Sequence, residues 1–110
     1  MSFFNSDLVR EEMDEISKLQ DKVYKKVWEF PSMDKGGKLE HVEMLSSLLE
    51  KQKILYTRLS LSDDPDAKRM KDQILESARG LGFPADVDLT YVFSNMTKVL
   101  ESMKKSIDNS

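Results

Sequence analysis

Cysteine is absent from this chain of 110 residues. That excludes a disulfide framework, a thiol nucleophile and a thiolate metal site. Glycine occurs four times and proline three times, so breakers are few. With Leu, Lys, Glu and Met abundant, the composition points to a mainly helical protein. No apolar run approaches the roughly 18 residues of a membrane span. The first residues lack a basic region followed by an apolar stretch, so no signal peptide is expected and a soluble cytoplasmic protein is. Positive charge is not in surplus: the net charge is −3 and the sequence pI about 5.2. This counts against a general nucleic-acid binder. A phosphate loop is missing too, because Asp34–Lys38 (DKGGK) has glycines but neither the spacing nor a preceding strand.

What is present is helical period. Apolar residues make up 39% of the chain and charged residues 34%, which suits one small folded domain, residues 1–110. Val9, Met13, Ile16, Val23, Val27 and Phe30 recur in threes and fours, with Gln20 filling a step. Asn5 is placed to cap this first helix and Pro31 to stop it. Phe4 and Val9 then have the spacing of a hydrophobic staple. Phe3 has no local partner and must pack elsewhere on the bundle or on another chain. A second helix follows from Asp34 to about Ser60. It carries two stripes, one through Val42, Leu45, Leu49, Tyr56 and Leu59 and one through Met44, Leu48 and Leu55. Two stripes make a wide apolar face, so this helix should be the most buried. Asp64 and Pro65 open a short third helix that Gly80 closes. Asp86 or Asp88 caps a fourth, whose seam is Leu89, Phe93, Met96, Leu100, Met103 and Ile107. The expected fold is all-α: a long antiparallel hairpin of helices one and two, covered by a shorter third helix and a long C-terminal one.

Three groups of residues are candidates for chemistry or contact. Glu11, Glu12 and Glu15 on the first helix, with Glu40 and Glu43 on the second, resemble the carboxylate pairs that hold Mg²⁺ in helical nucleotide pyrophosphohydrolases. The helical period places Glu12 beside the stripe and Glu15, Glu40 and Glu43 away from it, so a solvated face is expected and no metal or cofactor. His41 is the one histidine. It cannot supply the paired ligands of a helical di-iron site. No nucleophile stands beside it in the sequence, so it reads as a surface or half-buried residue. Tyr24 and Trp28 lie off the main stripe among Lys22, Lys25, Lys26, Lys35 and Lys38, whereas Asp7, Glu11, Glu12, Asp14 and Glu15 make the first fifteen residues acidic. With Phe3, these aromatics and lysines are the candidate interaction surface, for an acidic protein or RNA. The competing expectation, and the preferred one, is that Tyr24 and Trp28 pack under helix three or four. Lysine outnumbers arginine thirteen to four, which weakens specific phosphate or base reading.

The opening MSFFNSDLV and the stretch Ser47–Asp64 (SLLEKQKILYTRLSLSDD) resemble a small helical family of unknown function found in cyanobacteria and the phages that infect them. The shared features are Leu48, Leu49, Glu50, Lys51, Lys53, Ile54, Arg58, Leu61, Ser62 and Asp64, and more weakly LESMKK at Leu100–Lys105. Pro65 and the GGK turn look different from the cellular members, which hints at a phage or divergent marine version. The resemblance implies a cytoplasmic helical protein and brings no catalytic residues. The function expected is that of a non-enzymatic interaction or regulatory protein, a homo-oligomer and most simply a dimer, acting on a host or phage partner. The alternatives are a metal-dependent nucleotide pyrophosphohydrolase and a nucleic-acid accessory factor. The dimer contact is expected at Phe3 and part of the helix-four seam, since the third helix is too short to cover the hairpin.

Overall fold

The computed structural model describes residues 3–84 and 87–109. Four helices carry the chain: α1 (Asp7–Lys26), α2 (Lys35–Leu61), α3 (Pro65–Gly80) and α4 (Leu89–Asp108). Short 3-10 segments precede α1 at Phe3–Asn5 and follow it at Val27–Ser32. The fold is all-α, with no strand among the described residues.

Aspartates start three of the helices. The Asp34 carboxylate accepts from the Gly37 N–H at 2.7 Å, Asp64 from the Asp66 N–H at 2.8 Å and Asp88 from the Thr90 N–H at 3.0 Å. Each satisfies a backbone donor that the first helical turn leaves unpaired. Asp86, the alternative cap of α4, lies outside the described residues. A Cβ at Gly37 would meet Asp34 Oδ1 at 3.1 Å and Met33 Cβ at 3.3 Å, so a side chain would crowd the cap.

Two boundaries, both of α1, differ from the sequence expectation. Ser6, not Asn5, stands at the N-cap position of α1, with no capping bond from its side chain, because Phe3–Asn5 tightens into a 3-10 turn in which the Ser6 N–H bonds the Phe3 carbonyl. The shift of one residue takes Phe4 and Val9 out of staple register. At the other end α1 stops at Lys26, and Pro31 sits inside the 3-10 segment that follows. Helix α3 ends at Gly80 as expected, and Gly82 supplies the left-handed residue that closes it. Gly82 has φ +101°, its N–H bonds the Arg79 carbonyl, and the Phe83 N–H reaches back to the Ala78 carbonyl at 3.1 Å. This is the Schellman arrangement, whose left-handed residue is cheapest as glycine.

The long helix α2 is the axis of the molecule. It buries His41, Val42, Leu48, Leu49, Tyr56 and Leu59, whereas α1 buries Val9, Ile16 and Val23. Two stripes on α2 allow a neighbour on each flank. Helix α1 packs antiparallel on one, with Ile16 and Val23 against Leu48. Helix α4 packs antiparallel on the other, its beginning at Tyr56 through Phe93 and its end at Glu43 through Lys104. Short α3 covers the C-terminal part of α2, burying Ala67 and Ala78. The result is a slab measuring 48 × 32 × 19 Å, with a radius of gyration of 15.9 Å. A chain of this length packed to ordinary compactness has about 13 Å.

Candidate functional site

The carboxylates do not converge. Glu12 pairs with Arg58 at 3.0 Å and Glu15 with Lys51 at 2.8 Å, both across the α1–α2 seam. Glu43 holds Lys104 of α4 in a short ion pair, and Glu40 is exposed. Hydrogen bonding to Glu43, backed by its charge, raises the Lys104 ammonium above the usual lysine range, and Asp14 does the same for Lys18. The solvent-facing pairs Glu15–Lys51 and Glu43–Lys104 add little stability. Among the described residues, no three His, Asp or Glu side chains are grouped to hold a metal ion.

His41 is fully buried at 3% exposure, which corrects the surface or half-buried expectation. Its ring lies 5.3 Å from that of Phe30. Its Nδ1 is buried without a hydrogen-bond partner. The cavity of about 240 Å³ it borders is otherwise lined by Val27, Phe30, Pro31, Leu45 and Met103. No nucleophile or carboxylate faces the imidazole there, so general-base chemistry has no second group. The signal was present in the sequence. Position 41 is four before Leu45 and seven before Leu48, squarely on the buried side of α2.

The candidate aromatics separate. Phe3 and Phe4 meet edge to face at 5.1 Å between centroids, and both are half-buried. They close a cavity of about 300 Å³ shared with α2, Met70 and Ile74 of α3, and Phe93 of α4. The Phe3 N–H also donates to the Asp64 carboxylate in a short hydrogen bond. Phe3 therefore finds its partners within its own chain. Tyr24 and Trp28 stand at the far end of α1, 68% and 89% exposed. Neither packs under α3 or α4, contrary to the preferred expectation. Among the lysines, Lys35 donates to the Asp108 carbonyl at 2.7 Å and the Lys38 ammonium lies 5.8 Å from the Phe30 ring centre. Both are engaged in holding the tip together. Lys22, Lys25 and Lys26 are exposed. At 100° per residue they share one face of α1, with Tyr24 roughly 150° away, so aromatics and cations do not form one patch.

An open apolar trough runs along α2 between its two flanking helices. Its middle is lined by Leu45, Leu48, Leu49 and Gln52 of α2 and by Met96, Val99 and Leu100 of α4. Gln52 joins it to the Phe3–Phe4 cavity, and Leu45 joins it to the His41 cavity. Sequence reading expected some stripe to be left bare. The bare part lies between α1 and α4, not beyond the end of α3.

No helix among the described residues is long and apolar enough to cross a membrane. No curated protein and no solved structure matches the chain. The model of a domain of unknown function, DUF1825, matches residues 1–107, and the chain belongs to that family.

Proposed function

We propose that this protein is a non-enzymatic helical interaction protein, a homo-oligomer that also captures a protein partner at the α1–α2 tip. The observation that carries the reading is Trp28, 89% exposed beside an exposed Tyr24. Tryptophan and tyrosine are the side chains most enriched at binding hot spots. A tryptophan held in water on a short 3-10 segment brings a large apolar area to a contact at little ordering cost. The resemblance of Ser47–Asp64 to a cyanobacterial and cyanophage family supports a cytoplasmic setting in such cells, and the partner proposed is a host or phage protein. The carboxylates paired to Arg58, Lys51 and Lys104 give a nucleotide hydrolase no support. Affinity capture from cyanobacterial lysate with the wild type and with Trp28→Ala tests the reading. Loss of a specific co-purifying protein in the variant is expected, with helical content unchanged. An identical set of captured proteins would overturn the role of the tip.

A further inference from the structure

We infer that the trough face is a twofold interface on which a second copy of this chain docks, with the exposed strip of α4 at its centre. The inference rests on the homo-oligomer reading and adds the face and the occupant. Three observations favour a second copy.

The first is shape. The chain is a slab 19 Å thick with a radius of gyration of 15.9 Å, against about 13 Å for a compact chain of its length. Stacking two slabs face to face gives a radius of about 18–19 Å, close to the about 17 Å of a compact body twice as long. Joining them end to end gives about 29 Å, far from any compact body. A small ligand or a short peptide in the trough leaves the slab thin.

The second is the relief of the face. Met96, Val99 and Met103 are 48%, 59% and 36% exposed on α4. Met96 and Val99 form the α4 wall of a furrow whose other side is Leu45, Leu48 and Gln52, and Met103 continues that wall into the His41 cavity. A wall beside a furrow is self-complementary, because each copy offers what the other lacks.

The third is charge. On a twofold axis a surface meets its own copy, so any charge near the axis faces a like charge. The strip through Met96, Val99 and Met103 is bordered on its outer side by Asn95, Ser102 and Ser106, none of them charged. The charged residues of this stretch, Lys98, Glu101, Lys104 and Lys105, fall elsewhere on the helix at 100° per residue. Interface centres are depleted of charge in this way.

Because the chain has no cysteine, one introduced thiol is unique. The test uses the full chain with three readouts. Light scattering should give twice the 12.7 kDa chain mass, and solution X-ray scattering a radius of about 18–19 Å. Val99→Cys should cross-link to its copy with a short bis-maleimide, whereas Ile54→Cys, on the far side of α2, should not. Val99→Lys should raise the dimer dissociation constant about 100-fold, as expected for a charge buried at an interface centre, while Ile54→Lys leaves it unchanged. Val99 is mostly in water in one copy, so circular dichroism should show the variant folded. A mass of 12.7 kDa overturns both this inference and the homo-oligomer reading. A doubled mass with no Val99 cross-link and an unmoved dissociation constant overturns the trough face alone. A monomer that instead takes up a helical peptide in the trough overturns the second copy as its occupant.

Discussion

The two ends of α1 each carry a pair of aromatic residues, and they are treated in opposite ways. Phe3 and Phe4 are drawn onto the chain itself, against α3 and over a cavity that reaches Tyr56 and Phe93. Tyr24 and Trp28 are left in water. Hydrophobicity does not separate the pairs, since each ring would gain from burial. What differs is the scaffold around them. At the start of α1 the turn from α2 into α3 brings Asp64, Met70 and Ile74 within reach, and the Asp64 carboxylate takes the Phe3 N–H. At the tip, Phe30 turns inward onto His41 and under Lys38, and the end of α4 reaches Lys35 and the His41 cavity without covering Tyr24 or Trp28. One end is finished within the chain, and the other leaves its aromatics exposed.

The largest effect should come from breaking the finished end. Phe3→Ala combined with Phe4→Ala removes two half-buried rings from the junction of α1, α2 and α3. A loss of about 3 kcal/mol is expected, at the low end for aromatic truncation because neither ring is fully buried. Urea unfolding followed by circular dichroism measures it. A loss below about 1 kcal/mol would mean the rings only lean on the surface, and the contrast between the ends would collapse.

A smaller effect of opposite sign is expected at the tip. His41 places Nδ1 among apolar groups with no partner. An orphaned buried polar atom costs about 1–3 kcal/mol, and removing it with a side chain of similar size recovers part of that. His41→Leu should therefore stabilise the monomer fold by about 1 kcal/mol. Destabilisation would show that the imidazole holds a hydrogen bond in the assembled protein, and that the tip is completed there by a polar contact.

How far the sequence speaks also differs between the ends and along the chain. Period and caps placed the four helices, because Asp34, Asp64 with Pro65, and Asp88 each act within one turn of where they stand. The wide face of α2 was legible for the same reason. Boundaries set by competition between neighbouring turns were not: Asn5 and Ser6 are both good caps, and only the 3-10 turn at Phe3–Asn5 decides between them. The pairing of Glu12 with Arg58 and of Glu15 with Lys51 needs the register of two helices. His41 lies on the buried phase of α2, and a reading made from missing chemical partners passes over that phase. The fate of Tyr24 and Trp28 depends on whether a later element crosses the tip, and no property of α1 itself reports that.

The smallest effect on stability should come from Trp28→Ala, and it bears most directly on the comparison. The largest side chain in the chain is 89% exposed, so truncating it removes almost no buried area from the monomer. Surface changes away from caps, cores and networks usually stay within about 0.5 kcal/mol. The local backbone does not lean on the ring, since the segment Val27–Ser32 is held by its own backbone, by Phe30 on His41 and by the Ser32 hydroxyl donating to the Glu29 carbonyl at 2.9 Å. A thermal midpoint within about 2 °C of wild type is therefore expected, together with a tryptophan emission in the parent protein typical of a ring in water. Phe3→Ala with Phe4→Ala should lower the same midpoint by many degrees. A loss of about 3–5 kcal/mol from Trp28→Ala would be the cost of a buried aromatic. With a blue-shifted parent emission at micromolar concentration, that result would mean a second chain already covers the tip. The two ends of α1 would then differ in which chain buries their aromatics, and no longer in whether they are buried.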